Sequence, residues 1–261
     1  MSDGIDKLAG AIGDTLKTAP TLYEDALQPT VQEVGKFAAR IPRAINAAFS
    51  GLDKWILNKE YAIDETKKLL EKKLENVNPD KIVEPEAYVA VPAIQAISYS
   101  MNSEELRNLY ANLLAKTMNS DTKNQVHPSF IETIKQLSPE DAMLFKQIFP
   151  LQYRPIIDVR LELSSGGYKT LAKYCNTFIN SQLSDYGLSF DNLIRLGLIE
   201  IPLNESYNNA TVYNPILYLL KSQYKFEQYI QNYPNATNIT YYKGRVIITA
   251  YGQVFYNICV I

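Results

Sequence analysis

Apolar positions recur at three- and four-residue steps through most of residues 1–150. Between Leu22 and Leu57, Val31, Val34, Phe37, Ala38, Ile41, Ile45, Ala48, Phe49, Leu52, Trp55 and Ile56 follow this rule, interrupted by Pro29 and Pro42. That is the period of one or two amphipathic helices with a kink or break. From Tyr61 to Val77, Ile63, Leu69, Leu70 and Leu74 lie opposite a mixed-charge face from Glu65 to Glu75, which reads as a solvated helix surface without a function of its own. Beyond Pro85 and Pro92, Asn102 or Ser103 caps a helix whose stripe is Leu106, Leu109, Tyr110, Leu113, Leu114 and Met118. A second helix begins around Pro128 and carries Phe130, Ile131, Ile134 and Leu137. Ser138-Pro139-Glu140-Asp141 announces a third, with the serine as cap, the proline at the first helical position and the acids complementing the helix dipole. The pattern predicts a flexible stretch over 1–20 and a helical domain over 21–150.

The pattern changes in the second half. Residues 189–196 read as a helix carrying Leu193, Ile194 and Leu196, closed by Gly197 and running directly into a strand at Leu198–Ile201. Ile239-Thr240-Tyr241-Tyr242 and Val246-Ile247-Ile248-Thr249 flank Lys243-Gly244-Arg245, a hairpin signal. Thr249 to Ile261 reads as a closing helix. Helix, strand, insertion, strand and helix in this order outline a winged helix. The predicted fold is mainly α, an N-terminal helical domain followed by an α+β winged-helix-like domain over 151–261 with a Tyr- and Asn-rich insertion.

Composition sharpens this division. The 261 residues are 46% apolar, enough for a substantial core, and carry a formal charge of −2. The acidic excess lies in the first half and a slight basic excess in the second, and most of the 19 tyrosines fall after residue 150. The compositional seam lies near Pro150–Pro155. The opening MSDGIDKLAGAIGDTLK lacks a basic region followed by an apolar run and a cleavage site, and no window approaches a membrane span, so cytoplasmic residence is the expectation.

Candidate chemistry is sparse. One histidine and two cysteines leave too few ligands for a His/Cys zinc site, and Cys175 and Cys259 read as small buried hydrophobes. His127 stands before Pro128 at a helix entry, where capping is its ordinary use. No second histidine, phosphate loop or spaced carboxylate cluster accompanies it, so no enzyme, catalytic residue, metal or cofactor is expected. In a winged helix that reads DNA, Asn192 and Arg195 of the predicted recognition helix and Lys243 and Arg245 of the predicted wing would be the contacts. Four residues in a domain of charge near +2 favour protein contact over DNA, and tyrosine is a natural interface residue. The helical pattern of 20–57 has two readings. One is a helix packed through its small residues, the other a membrane-surface or partner helix presenting Phe37, Ile41, Ile45, Phe49, Leu52 and Trp55. Glu24, Asp25, Glu33 and Asp53 dilute its basic face and favour the first.

Several stretches carry a family likeness. "YEDALQPTVQEVGK", "EPEAYVAVPAIQAISYSMNSEELRNLYANLLAKTM", "HPSFIETIKQLSPEDAMLFK", "LSFDNLIRLGLIEIP" and "GRVIITAYGQVFYNIC" together cover about 20–261. Their layout resembles the abortive-infection alpha (Abi-alpha) family, a bacterial and prophage group of unknown biochemical function. The middle block is the most specific, whereas "LGLI" and "TAYG" are shared by many winged helices. The resemblance implies a part in phage resistance and brings no catalytic residues with it. The resulting expectation is a non-enzymatic phage-defence protein acting through protein contacts, with a phage product or a second copy as partner. The alternatives are a winged-helix DNA-binding regulator and a membrane-perturbing effector using the N-terminal helices.

Overall fold

The computed structural model describes residues 40–49, 60–100, 102–179, 181–183 and 186–261. The first half is built around α4 (Glu104–Thr117), which starts where Ser103 Oγ accepts the Leu106 N–H at 3.3 Å. Its Leu109, Tyr110, Leu113 and Leu114 are buried, and so are Ala111, Asn112 and Ala115. Burial on nearly every side marks a central helix. Around it pack α2 (Glu60–Leu74), α3 (Ala87–Tyr99), α5 (Ser129–Lys135) and α6 (Pro139–Ile148), while α1 (Arg40–Phe49) lies on α2 and α3. Ile45 of α1 is buried in this core and Ile41 packs against it, and Arg40 pairs with Asp80 at 2.8 Å. These two apolar positions, expected as candidates for a membrane or partner face, point instead into the protein. Phe37, Leu52, Trp55 and the side chain of Phe49 lie outside the described residues. Among the described residues, no helix is long and apolar enough to cross a membrane.

After α6 the chain enters β1 (Pro155–Leu163) and β2 (Tyr168–Cys175), an antiparallel pair. It returns to α7 (Gly187–Arg195) and β3 (Ile199–Glu200), leaves again through α8 (Asn214–Gln223) and β4 (Ala236–Arg245), and ends with β5 (Ile247–Ile248) and α9 (Ala250–Phe255). The two excursions meet: β1 lies between β2 and β4 in one antiparallel sheet, and β3 pairs with β5 in another. From Ile157 onward the sequence "IDVRLE" alternates, so Ile157, Val159 and Leu161 of β1 share one face. They join Tyr213, Ile216 and Leu220 in a second core, with α8 as its helical side.

The division of these cores does not follow the compositional seam. Phe190, Leu193, Leu198, Val246, Phe255, Ile258 and Cys259 belong to the same buried cluster as α2–α6. Phe255 stacks edge-on against Phe130 and Phe145 at 5.6 and 6.0 Å, a burial that stabilises by about 1.5–3 kcal/mol. A π-helical turn at Tyr256–Val260 follows α9 and lies on α4, where Asn112 Nδ2 donates to the Cys259 carbonyl at 2.8 Å. Both cysteines are free and buried, and burial pushes the Cys259 thiol well above its ordinary range.

Local signals mark the connections. Gly197, at φ +69°, ends α7 in a Schellman turn: its N–H donates to the Ile194 carbonyl and that of Leu198 to Leu193. The expected hairpin at Lys243-Gly244-Arg245 is corrected. These residues continue β4 and pair with Ile157, Ile156 and Pro155. A Cβ on Gly244 would stand 3.2 Å from Ile156 Cγ1, so the glycine serves close packing across strands rather than a turn. At Val246 the chain passes from the larger sheet to the smaller one.

Candidate functional site

The predicted site residues start from the turn into α6. Ser138 Oγ accepts the Asp141 N–H at 3.1 Å while Asp141 Oδ2 accepts the Ser138 N–H at 2.8 Å, a reciprocal capping box. The Asp141 carboxylate is buried, and it also accepts from Asn192 Nδ2 of α7 at 2.7 Å. Asn192 Nδ2 donates further to the Gln136 carbonyl at 2.8 Å, and its Oδ1 accepts from Arg195 Nε at 3.1 Å. Arg195 Nη1 reaches Gln136 Oε1 at 2.8 Å. Both candidate DNA contacts of the predicted recognition helix are therefore bonded to the α5–α6 turn or α6 and to each other. Leu188, in the first turn of the same helix, is 85% exposed.

Lys243 and Arg245 are elsewhere. Both project from the face of β4 that carries Tyr241 and the second core, since strand residues two apart share a face. Lys243 Nζ stands 5.4 Å from the Tyr213 ring, and Arg245 Nε bonds Glu205 Oε2 at 3.1 Å, an interaction that raises the guanidinium pKa. The opposite face carries Tyr242 and Gly244 and looks toward Ile194 of α7 across a cleft. The structure thus groups Asn192 with Arg195 and separates them from Lys243 and Arg245 by the thickness of the sheet.

His127 is a helix-entry residue. Its Nδ1 accepts the Ser129 N–H at 3.1 Å and its ring meets Phe130 edge-on at 6.2 Å. Ser129 Oγ and Thr133 Oγ1 both bond Tyr251 Oη, at 3.0 and 2.7 Å, which joins α5 to α9. Among the described residues, no group of three or more His, Cys, Asp and Glu side chains could hold a metal ion.

The cleft between the large sheet and α7 was not foreseen. Asp158 and Arg160 of β1 line it, together with Tyr168, Lys173, Tyr174 and Tyr242, and Ile194, Ile201, Pro202 and Leu203 form its apolar wall. Tyr174 spans it at one end, with its N–H donating to Asp158 Oδ1 at 3.0 Å and its hydroxyl to Asp191 Oδ1 at 2.9 Å. Burial, then the Asp191 hydrogen bond, pushes its pKa up to about 12. The usable sequence signal was the alternation of Asp158, Arg160 and Glu162 with Ile157, Val159 and Leu161, which sets three charged residues on one face of a single strand.

The family model described as Abortive infection alpha matches residues 58–259, which include the helical core and both excursions into the sheet. No curated protein and no solved structure matches the chain. With 58–259 of its 261 residues accounted for in this way, the chain belongs to the abortive infection alpha family.

Proposed function

We propose that this chain serves abortive infection as a non-enzymatic binding protein, and that α6, α7, β3, β5 and α9 make a winged-helix-like unit that contacts protein rather than DNA. In this reading the segment between β3 and β5 is an enlarged wing, paired with a second insertion between α6 and α7. The partner is a phage product or a second copy of the chain. The observation that carries the reading is the inward bonding of Asn192 and Arg195 to Gln136 and Asp141, which occupies the donors that base edges would need. The helix face left to solvent starts with Leu188, and Leu203 beyond β3 is 87% exposed. Apolar groups of this kind suit a protein interface. The capping role of His127 accounts for the lone histidine without a reaction.

The test is a phage challenge of cells expressing the protein or its Leu188→Glu variant. Loss of protection by about tenfold or more in plaquing efficiency, with an unchanged melting temperature, is the expected result. Full protection by the variant would overturn the assignment of this face. A DNA mobility shift at low salt that Arg195→Ala abolishes would replace it with the regulator reading. Light scattering of the purified protein and the variant tells self-association from a foreign partner.

A further inference from the structure

The cleft described above contains an arginine whose surroundings are unusual. The Arg160 guanidinium carbon lies 4.2 Å from the centroid of Tyr168 and 3.9 Å from that of Tyr242, so both rings hold it by cation–π attraction. Its side chain is only 18% exposed. Aromatic rings cover a guanidinium but accept none of its in-plane N–H groups, so those donors must find acceptors at the edge. Asp158 Oδ2 approaches Nη2 only to 3.6 Å, beyond hydrogen-bond length, and the other Asp158 oxygen is taken by the Tyr174 N–H. Glu162 Oε1, on the same face of β1, accepts the Thr240 hydroxyl at 2.6 Å. Arg160 Nε is the one buried side-chain nitrogen or oxygen without a hydrogen-bond partner among the described residues. The rings and the Asp158 charge offset part of the guanidinium's desolvation, but no hydrogen bond among the described residues offsets that of Nε.

The space beside it completes the picture. The cleft has a volume of about 390 Å³, within the size of small-molecule sites. Lys173 adds a second cation, so that two positive side chains and one carboxylate line it. Across from them stand Ile194, Ile201, Pro202 and Leu203. A wall carrying the Arg160 and Lys173 cations facing an apolar wall selects a molecule with one anionic end and one apolar body.

We propose that this cleft binds a small organic anion, with its carboxylate or phosphate oxygens in the plane of the Arg160 guanidinium near Lys173 and its apolar body against Ile194, Ile201, Pro202 and Leu203. An oxyanion placed at the guanidinium edge forms charge-assisted bonds, which are stronger than neutral ones. The rings of Tyr168 and Tyr242 hold the guanidinium plane before the ligand arrives, so little side-chain freedom is lost on binding. Leu203 serves both this cleft and the proposed protein interface, but the Arg160 Nε–H readout needs no protein partner, so its failure leaves the protein-contact reading standing.

The experiment is a titration of the full ¹⁵N-labelled chain followed at the Arg160 Nε–H resonance. That resonance is assigned by its loss in Arg160→Lys, or by NOEs from the two tyrosine rings where that variant does not fold. The probes are phenyl phosphate, benzoate, inorganic phosphate and neutral benzamide. Phenyl phosphate or benzoate is expected to shift the resonance saturably and to bind about tenfold more tightly than inorganic phosphate or benzamide. Whichever of the two binds better identifies the oxyanion. Lys173→Ala, an exposed position, should weaken both aromatic anions, and Leu203→Ala should weaken them without changing inorganic phosphate. An Arg160 Nε–H resonance that stays fixed with every anion up to about 10 mM, or benzamide binding as tightly as the better of the two aromatic anions, overturns the proposal.

Discussion

Tyr174 sits at φ 52°, in left-handed backbone that a bulky residue adopts only when its surroundings enforce it. Here Asp158 takes its N–H and Asp191 its hydroxyl, so one residue ties β1, β2 and α7 together. Because the folded state raises its pKa to about 12, the sign of its pH effect follows. Below the ordinary tyrosine value of about 10, folded and unfolded chains both keep the proton and the contribution is complete. Between about pH 10 and 12 the unfolded chain ionises first, and stability falls as pH rises. Tyr174→Phe should therefore flatten the decline in denaturation midpoint over this range, a change visible in urea melts at successive pH values. Gly252 makes a different kind of demand. A Cβ there would lie 2.1 Å from the Leu198 carbonyl oxygen, between the start of α9 and β3. Neither backbone segment can yield, so Gly252→Ala should cost on the order of 3 kcal/mol, read as a lower urea midpoint with an unchanged slope.

Among elements, the helices of the first half were legible because each carried its own punctuation. Ser103 and Ser138 act as the caps that their positions indicated, and the Gly197 turn ends α7 where the glycine stood. Ser138→Ala should cost about 1 kcal/mol of stability, measurable by urea denaturation. Asp141→Ala should cost more, since it also removes one of the two acceptors of Asn192 Nδ2. A double-mutant cycle with Asn192→Ala should give a coupling of roughly 0.5–3 kcal/mol. The sheet was far less legible. β1 and β4 are partners separated by a long stretch of chain, and no local turn signal records such a pairing. The Lys243-Gly244-Arg245 segment carried the residues of a turn, yet cross-strand packing on Ile156 made it strand. The cleft was hidden for the same reason, because Arg160, Tyr168 and Tyr242 come from three strands whose adjacency is a tertiary fact.

At the scale of the molecule, the second core lies wholly after residue 150, while the larger core draws on both halves of the chain. A fragment comprising 151–261 would expose Phe255, which loses Phe130 and Phe145, and the Tyr256–Val260 turn, which loses α4. It is expected to lack a cooperative thermal transition by circular dichroism, whereas a sharp melt would establish two independent folding units. The contact of Asn112 with Cys259 spans 147 positions. During synthesis, α4 leaves the ribosome long before the turn that covers it, so the helical half waits with an open seam until residue 259 has emerged. Helical segments form in about a microsecond, but closure of this core belongs with the slower long-range events of folding. A chain broken anywhere before that turn therefore loses not a peripheral tail but the last wall of its first core, and a quality-control protease would meet it as an unfinished protein.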